Sequence, residues 1–235
     1  MSKHVCDWGW SLLWLALLGA GCQEREPPPE PVSKTVAYAG TIVAVGDSLT
    51  AGMGVSPEDT YPALLERRLA AAGYHYQVIN AGVSGETTSG ALSRTQWVLK
   101  LNPDIIILES GANDGLRGID PQLIAHNLVQ LVERFSAAGA TVVLAGMKMP
   151  LNMGPEYAKD FAAAYPAAAE RGAILVPFLL EGVGGRSSLN QPDGIHPTAE
   201  GYRRVVDNVY PYVVQAINAH AQKRRSAAGS RGKRT

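Results

Sequence analysis

Five short runs rich in aliphatic residues, separated by stretches with helical spacing, predict a three-layer α/β/α sandwich around a five-stranded parallel sheet. The runs are near-continuous rather than alternating, the pattern of strands covered on both faces. With 46% hydrophobic and 18% charged residues, the 235-residue chain can bury a core and is too apolar to be disordered throughout. Two cysteines cannot form a disulfide framework, and without several histidines beside them they cannot make a structural zinc site.

The predicted strands are 41–45 (Thr41-Ile42-Val43-Ala44-Val45), 76–79, 104–108, 141–145 and 173–176. Between the first two, Pro62 opens a helix over 62–72 that Gly73 closes, with Leu64, Leu65, Arg68 and Leu69 at 3–4 spacing. Residues 88–100 supply the next helix. Asp120 as N-cap and Pro121 as first helical residue begin another, with Leu123, Ile124, Leu128, Leu131 and Phe135 on one stripe. A fourth covers 156–171. Pro197 is expected to start the last, facing Tyr202, Val205, Val206, Val209, Val213 and Ile217 inward. No internal repeat or second composition regime interrupts residues 36–220, so they are read as one domain.

The ends differ from this middle. Residues 1–21 carry Lys3, the apolar run from Trp10 to Leu18 and a small-residue close, Gly19-Ala20-Gly21, which is the layout of a signal peptide. The apolar run is about half of the ~20 residues a membrane-spanning helix needs. Small residues before Cys22 resemble a bacterial lipobox, although Gly19 stands where that pattern prefers leucine. Lipidation of Cys22 is favoured over ordinary signal cleavage, because the Pro-rich, charged stretch 22–35 suits an extended tether between anchor and domain. Gln23 resembles the outer-membrane sorting signal, so the expectation is an exported bacterial protein, periplasmic and lipid-anchored to the outer membrane. At the other end, Lys223, Arg224, Arg225, Arg231, Lys233 and Arg234 make 221–235 a basic tail, expected to be disordered and solvated, with adhesion to anionic headgroups as the sharper alternative. Net charge is zero overall, so no whole-protein field favours nucleic acid.

Sites in such sheets gather beyond the carboxyl ends of the strands. After the first strand stands Gly46-Asp47-Ser48-Leu49, where a serine at a strand-to-helix turn exposes its hydroxyl. After the second comes Asn80-Ala81-Gly82-Val83-Ser84-Gly85, whose glycines let a backbone N–H approach a substrate oxygen. After the third comes Gly111-Ala112-Asn113-Asp114, where an Asn amide can donate to a developing oxyanion. Before the last helix, Asp193 and His196 stand three residues apart on a tight turn. The imidazole there can take a proton from Ser48 while the carboxylate orients the ring. His4, His75, His126 and His220 lack such a setting and are read as structural.

These four blocks, in this order from about residue 41 to 202, resemble the SGNH, or GDSL, hydrolase family. The fuller strings at 111–118 and 193–197 look like its thioesterase I/protease I/lysophospholipase subgroup, often labelled arylesterase. The resemblance implies a flavodoxin-like fold and a serine esterase acting on aryl esters, acyl thioesters or lysophospholipids. It makes Ser48 the nucleophile, His196 the general base and acid, and Asp193 the orienting carboxylate. The Ser48 N–H, the Gly82 N–H and the Asn113 amide would form the oxyanion hole. No cofactor and no metal are implied, the partner is a small acyl ester, and the sequence is silent on oligomeric state. A carbohydrate acetylesterase of the same family is the nearest alternative. A metallophosphoesterase also places Asp, Asn and His beyond parallel strands, but dinuclear sites usually recruit more histidines. A non-catalytic surface lipoprotein fits poorly with a complete Ser48, Asp193, His196 and Asn113 set. Met147, Met149 and Met153, in the loop after the fourth strand, either line an acyl groove or pack beneath the loop.

Overall fold

The computed structural model describes residues 37–231; the expected signal peptide, Cys22, the expected tether and residues 232–235 lie outside them. Strands β1 (Gly40–Gly46), β2 (Tyr76–Gly82), β3 (Ile105–Glu109), β4 (Thr141–Ala145) and β5 (Ile174–Val176) form one parallel sheet in the order β2-β1-β3-β4-β5. The aliphatic runs account for the arrangement. Central strands β3 and β4 are buried at every position, and Ile105, Ile106, Ile107 and Leu108 are each fully covered. Burial of each such side chain stabilises the fold by about 1.5–3 kcal/mol. Edge strand β2 is less covered, with Gln77 and Asn80 exposed and only Tyr76 and Ala81 buried.

The connections are helical: α1 (Ser48–Ala51) and α2 (Tyr61–Ala71) after β1, α3 (Thr88–Ser93) and α4 (Thr95–Leu99) after β2, then α5 (Ala112–Leu116) and α6 (Pro121–Ala137) after β3. Helix α7 (Pro155–Ala169) follows β4, and α8 (Ala199–Arg231) ends the described chain. From β1 the chain first steps to β2 and afterwards always in the opposite direction. Right-handed crossovers therefore put α2 on one face and α3, α4, α6 and α7 on the other. Helix α8 packs on α2 and completes the first layer; α6 and α7 pack together in the second. The reversal of direction lies at β1, between its neighbours β2 and β3, and opens a crevice above their carboxyl ends.

Three predicted boundaries are corrected. The helix over 88–100 is two, broken at Arg94, where the Thr95 hydroxyl donates back to Leu92 O and the Arg94 side chain is tied to Glu86. The last helix begins at Ala199 rather than Pro197. Pro197 pairs with Asn190 in an isolated antiparallel bridge, and the Thr198 hydroxyl accepts the Gly201 N–H. The basic tail is not disordered from residue 221, because α8 carries it in helical form to Arg231. Of the remaining histidines, His220 is buried with Nε2 3.1 Å from Asp104 Oδ1, and His126 bonds Gln130 on the surface.

Candidate active site

At the end of β1 the strand must turn into α1 within one residue. Asp47 caps the new helix by accepting the Leu49 N–H at 2.9 Å, and its own N–H donates to the buried Glu109 at 3.1 Å. Gly46 is required at this corner: a Cβ there would lie 2.2 Å from Thr50 Oγ1 and 2.4 Å from Glu109 Oε2. The turn leaves Ser48 as first residue of α1, where helix geometry gives its N–H no intrahelical partner.

The Ser48 hydroxyl lies 2.8 Å from His196 Nε2, and His196 Nδ1 lies 2.7 Å from Asp193 Oδ2. A carboxylate accepts only, so Nδ1 donates to Asp193 and a neutral ring leaves Nε2 to accept the Ser48 proton. Asp193 Oδ1 takes two further N–H bonds, from Ile195 at 2.9 Å and His196 at 3.0 Å. The His196 N–H, then the imidazole, then the Ile195 N–H draw the Asp193 pKa down to about 2. The sequence thus identified three groups, from two distant segments, that the fold brings into one chain of hydrogen bonds.

Asn113, in the first turn of α5, donates from Nδ2 to Asp47 Oδ2 at 2.8 Å, which orients the amide while leaving its second N–H available. Its neighbour Asp114 is buried and accepts the Thr88 N–H and hydroxyl, binding the loop after β3 to that after β2.

Gly82 requires a correction. It is still within β2, opposite Gly46 in register, and its N–H donates to Asn80 Oδ1 at 3.0 Å. It is a glycine because a Cβ would meet the α1 backbone, 2.2 Å from Ala51 N. The residue of this loop that borders the cavity with Ser48 and Asn113 is Gly85, three positions later. Gly85 turns the chain with φ of 80°, and its carbonyl accepts from Arg117 at 3.0 Å. The positive φ demanded by the polar Ser84-Gly85-Glu86 corner is the signal that separates the two glycines.

Beside the hydroxyl lies a cavity of about 610 Å³, walled by Met53, Leu116, Met147, Met149, Phe178 and Leu180. Met147 and Met149 are themselves buried, so the methionines both pack and line, while Met153 stays outside the cavity. The wall contributed by 178–180 follows β5 and carries no periodic signal in the sequence. Among the described residues no three His, Cys, Asp or Glu side chains are grouped to hold a metal ion.

This geometry has relatives. The sequence profile of the GDSL-like lipase/acylhydrolase family matches residues 44–204, which include all of the residues above from Asp47 to His196. The chain belongs to this family. Within this GDSL-like family it is 43% identical over 177 residues to esterase TesA of Pseudomonas aeruginosa strain PAO1, covering 74% of this chain and 88% of that one. It is 36% identical over 173 residues to thioesterase 1/protease 1/lysophospholipase L1 of Escherichia coli K12, covering 73% of this chain and 82% of the other. A solved neighbour in fold is the psychrotrophic esterase EstA from Pseudoalteromonas sp., in a form inhibited by monoethylphosphonate. It has a TM-score of 0.72 at 34% identity, covering 76% of this chain and 99% of that structure.

Proposed function

We propose that the protein is a serine esterase that cleaves carboxylic esters and thioesters of apolar acyl chains through an acyl-enzyme on Ser48. The observation that carries this reading is the aligned path from Ser48 Oγ through His196 to Asp193. In the first half-reaction Ser48 Oγ bonds to the acyl carbon as its proton passes to His196 Nε2. The bond to the alcohol or thiol then breaks, and His196 returns that proton to the leaving group. In the second, His196 takes a proton from water, the hydroxide attacks the acyl-enzyme, and Ser48 leaves with the proton, releasing the acid. The Ser48 N–H, the free N–H of Asn113 and the N–H of Gly85 are the donors assigned to the oxyanion; each is worth about 10²–10³ in rate.

The apolar cavity beside Ser48 favours an acyl chain over a sugar as the group held there. Leu180→Trp, which fills that cavity, is expected to depress kcat/KM for octanoyl aryl esters at least about tenfold while sparing acetyl esters. An unchanged chain-length profile in this series would reject the cavity as the acyl site. The names of the relatives, esterase and thioesterase/lysophospholipase, support the same substrate class. Export and a lipid on Cys22 are part of this proposal, resting on the amino-terminal pattern of charge, apolar run and small residues. Labelled palmitate should enter the wild-type protein in a bacterial host and be lost in Cys22→Ala; label retained by the variant rejects the anchor.

A further inference from the structure

Behind the nucleophile lie two carboxyl groups that the proposed reaction does not use directly. Glu109 closes β3 and has no exposed surface, and Asp47 is 1% exposed. Their environments differ. Both Asp47 oxygens accept N–H bonds, from Leu49 and from Asn113. Glu109 Oε2 accepts the Asp47 N–H and, at 2.9 Å, the Thr50 hydroxyl. Thr50 Oγ1 in turn lies 3.1 Å from the Tyr61 hydroxyl. Among the described residues Glu109 Oε1 is buried with no hydrogen-bond partner. Among the described residues no Lys or Arg forms an ion pair with either acid.

Two adjacent buried carboxylates without a cation cannot both ionise cheaply, and a bare carboxylate oxygen in apolar surroundings is more costly still. The hydrogen bonds decide which acid keeps the proton: Asp47 has donors at both oxygens, Glu109 at one. We propose that Glu109 is a positioning residue for Ser48, working as an uncharged acid whose Oε2 fixes the Asp47–Thr50 turn and leaves Asp47 the single charge behind the nucleophile. This rests on the reading of Ser48 as nucleophile. Burial first, then Asp47, pushes the Glu109 pKa well above its usual 4.5; burial raises that of Asp47 too, but there the hydrogen bonds with Leu49, Glu109 and Asn113 oppose it. The other groups that sense this charge are Tyr61 of α2, Tyr165 of α7 and Tyr202 of α8, phenols that burial pushes upward and keeps neutral, while His196 faces Asp47.

The test compares full-length wild type with Glu109→Gln by urea unfolding from pH 4 to pH 8. The folded wild type retains a proton that the unfolded chain releases above about 4.5. Its stability is therefore full below that value and falls as pH rises towards the folded pKa. The amide has no such proton. The ratio of unfolding constants, wild type over variant, is expected to rise about tenfold per pH unit in that window. A ratio that does not change with pH overturns the uncharged assignment. For positioning, Glu109→Leu removes the acceptor and is expected to lower kcat about tenfold or more with KM within about twofold, whereas Glu109→Gln keeps the acceptor and restores most of kcat. Wild-type kcat in the leucine variant overturns the positioning role. Where that variant does not fold, Thr50→Val, which deletes one of the two donors to Oε2, is read instead. It should give the same split at smaller size, and an unchanged kcat is again fatal. Ser48→Ala run in parallel separates the two levels: if it still hydrolyses ester the nucleophile reading fails, while the pH-linked ratio continues to report on Glu109.

Discussion

Ser48→Ala is expected to reduce turnover of a short-chain aryl ester by on the order of 10⁴–10⁶, with the melting temperature close to wild type. The size follows from the loss of covalent catalysis altogether: without Oγ, His196 has no proton to accept and the two half-reactions merge into direct attack by water. The fold should tolerate the change, since among the described residues Ser48 bonds only to His196 through its side chain and the corner is held instead by Asp47, Thr50 and Glu109. The companion measurement is inactivation of wild type by a serine-directed organophosphorus reagent, with the adduct mapped to Ser48. Substantial residual turnover in the variant, or an adduct on another serine, would remove Ser48 from the mechanism.

The second large effect separates the members of the hydrogen-bonded path. His196→Ala is expected to approach the loss expected for Ser48→Ala, because among the described residues His196 is the hydrogen-bond partner of Oγ that can take its proton. Asp193→Asn should cost less, between about tenfold and the ~10⁴-fold found where the triad carboxylate is fully buried. The reason is exposure: the Asp193 side chain is 42% accessible, so water can support the imidazolium that the carboxylate otherwise stabilises. What the asparagine cannot do is guarantee the tautomer, since an amide N–H turned towards Nδ1 makes Nε2 the protonated nitrogen and blocks proton transfer from Ser48. Equal rates for Asp193→Asn and wild type would exclude the carboxylate from the path. The low Asp193 pKa has its own signature. A carboxylate held near 2 contributes stability above its usual 3.8 and loses it only as pH falls through about 2, so any loss of activity between pH 4 and 6 arises elsewhere.

The division between what the sequence revealed and what it hid follows the range of the forces involved. The five strands were legible because an aliphatic run such as Ile105-Ile106-Ile107-Leu108 has one stable destination, the covered centre of a sheet. Ser48, Asn113, Asp193 and His196 were legible because short turns constrain which residue types fit, and their chemistry is specific. Gly82 against Gly85 was not, because the choice depends on where β2 ends, which is fixed by pairing with β1 rather than by local composition. Glu109 was hidden for a similar reason. In the sequence it is one polar residue after an apolar run, and only the burial of both faces of β3 makes its charge a problem that the surrounding groups must resolve. The cavity wall at Phe178 and Leu180 comes from a stretch without periodicity, placed by the backbone bonds from Leu179 N to Gly146 O and from Gly146 N to Val176 O.

The bridge between Asn190 and Pro197 has a mechanical consequence. Together with the bond from Gln191 N to His196 O, it closes the segment bearing Asp193 and His196 upon itself, while Gln191 Nε2 reaches across to the Met53 carbonyl beyond α1. The spacing between acid and imidazole is therefore an internal dimension of one small loop, indifferent to distortions of the sheet. The spacing between imidazole and serine spans two segments far apart in the chain, with Gln191 as a strut across it. Strain, temperature or crowding that flexes the molecule would act on that second distance first, so the proton path has one rigid half and one adjustable half.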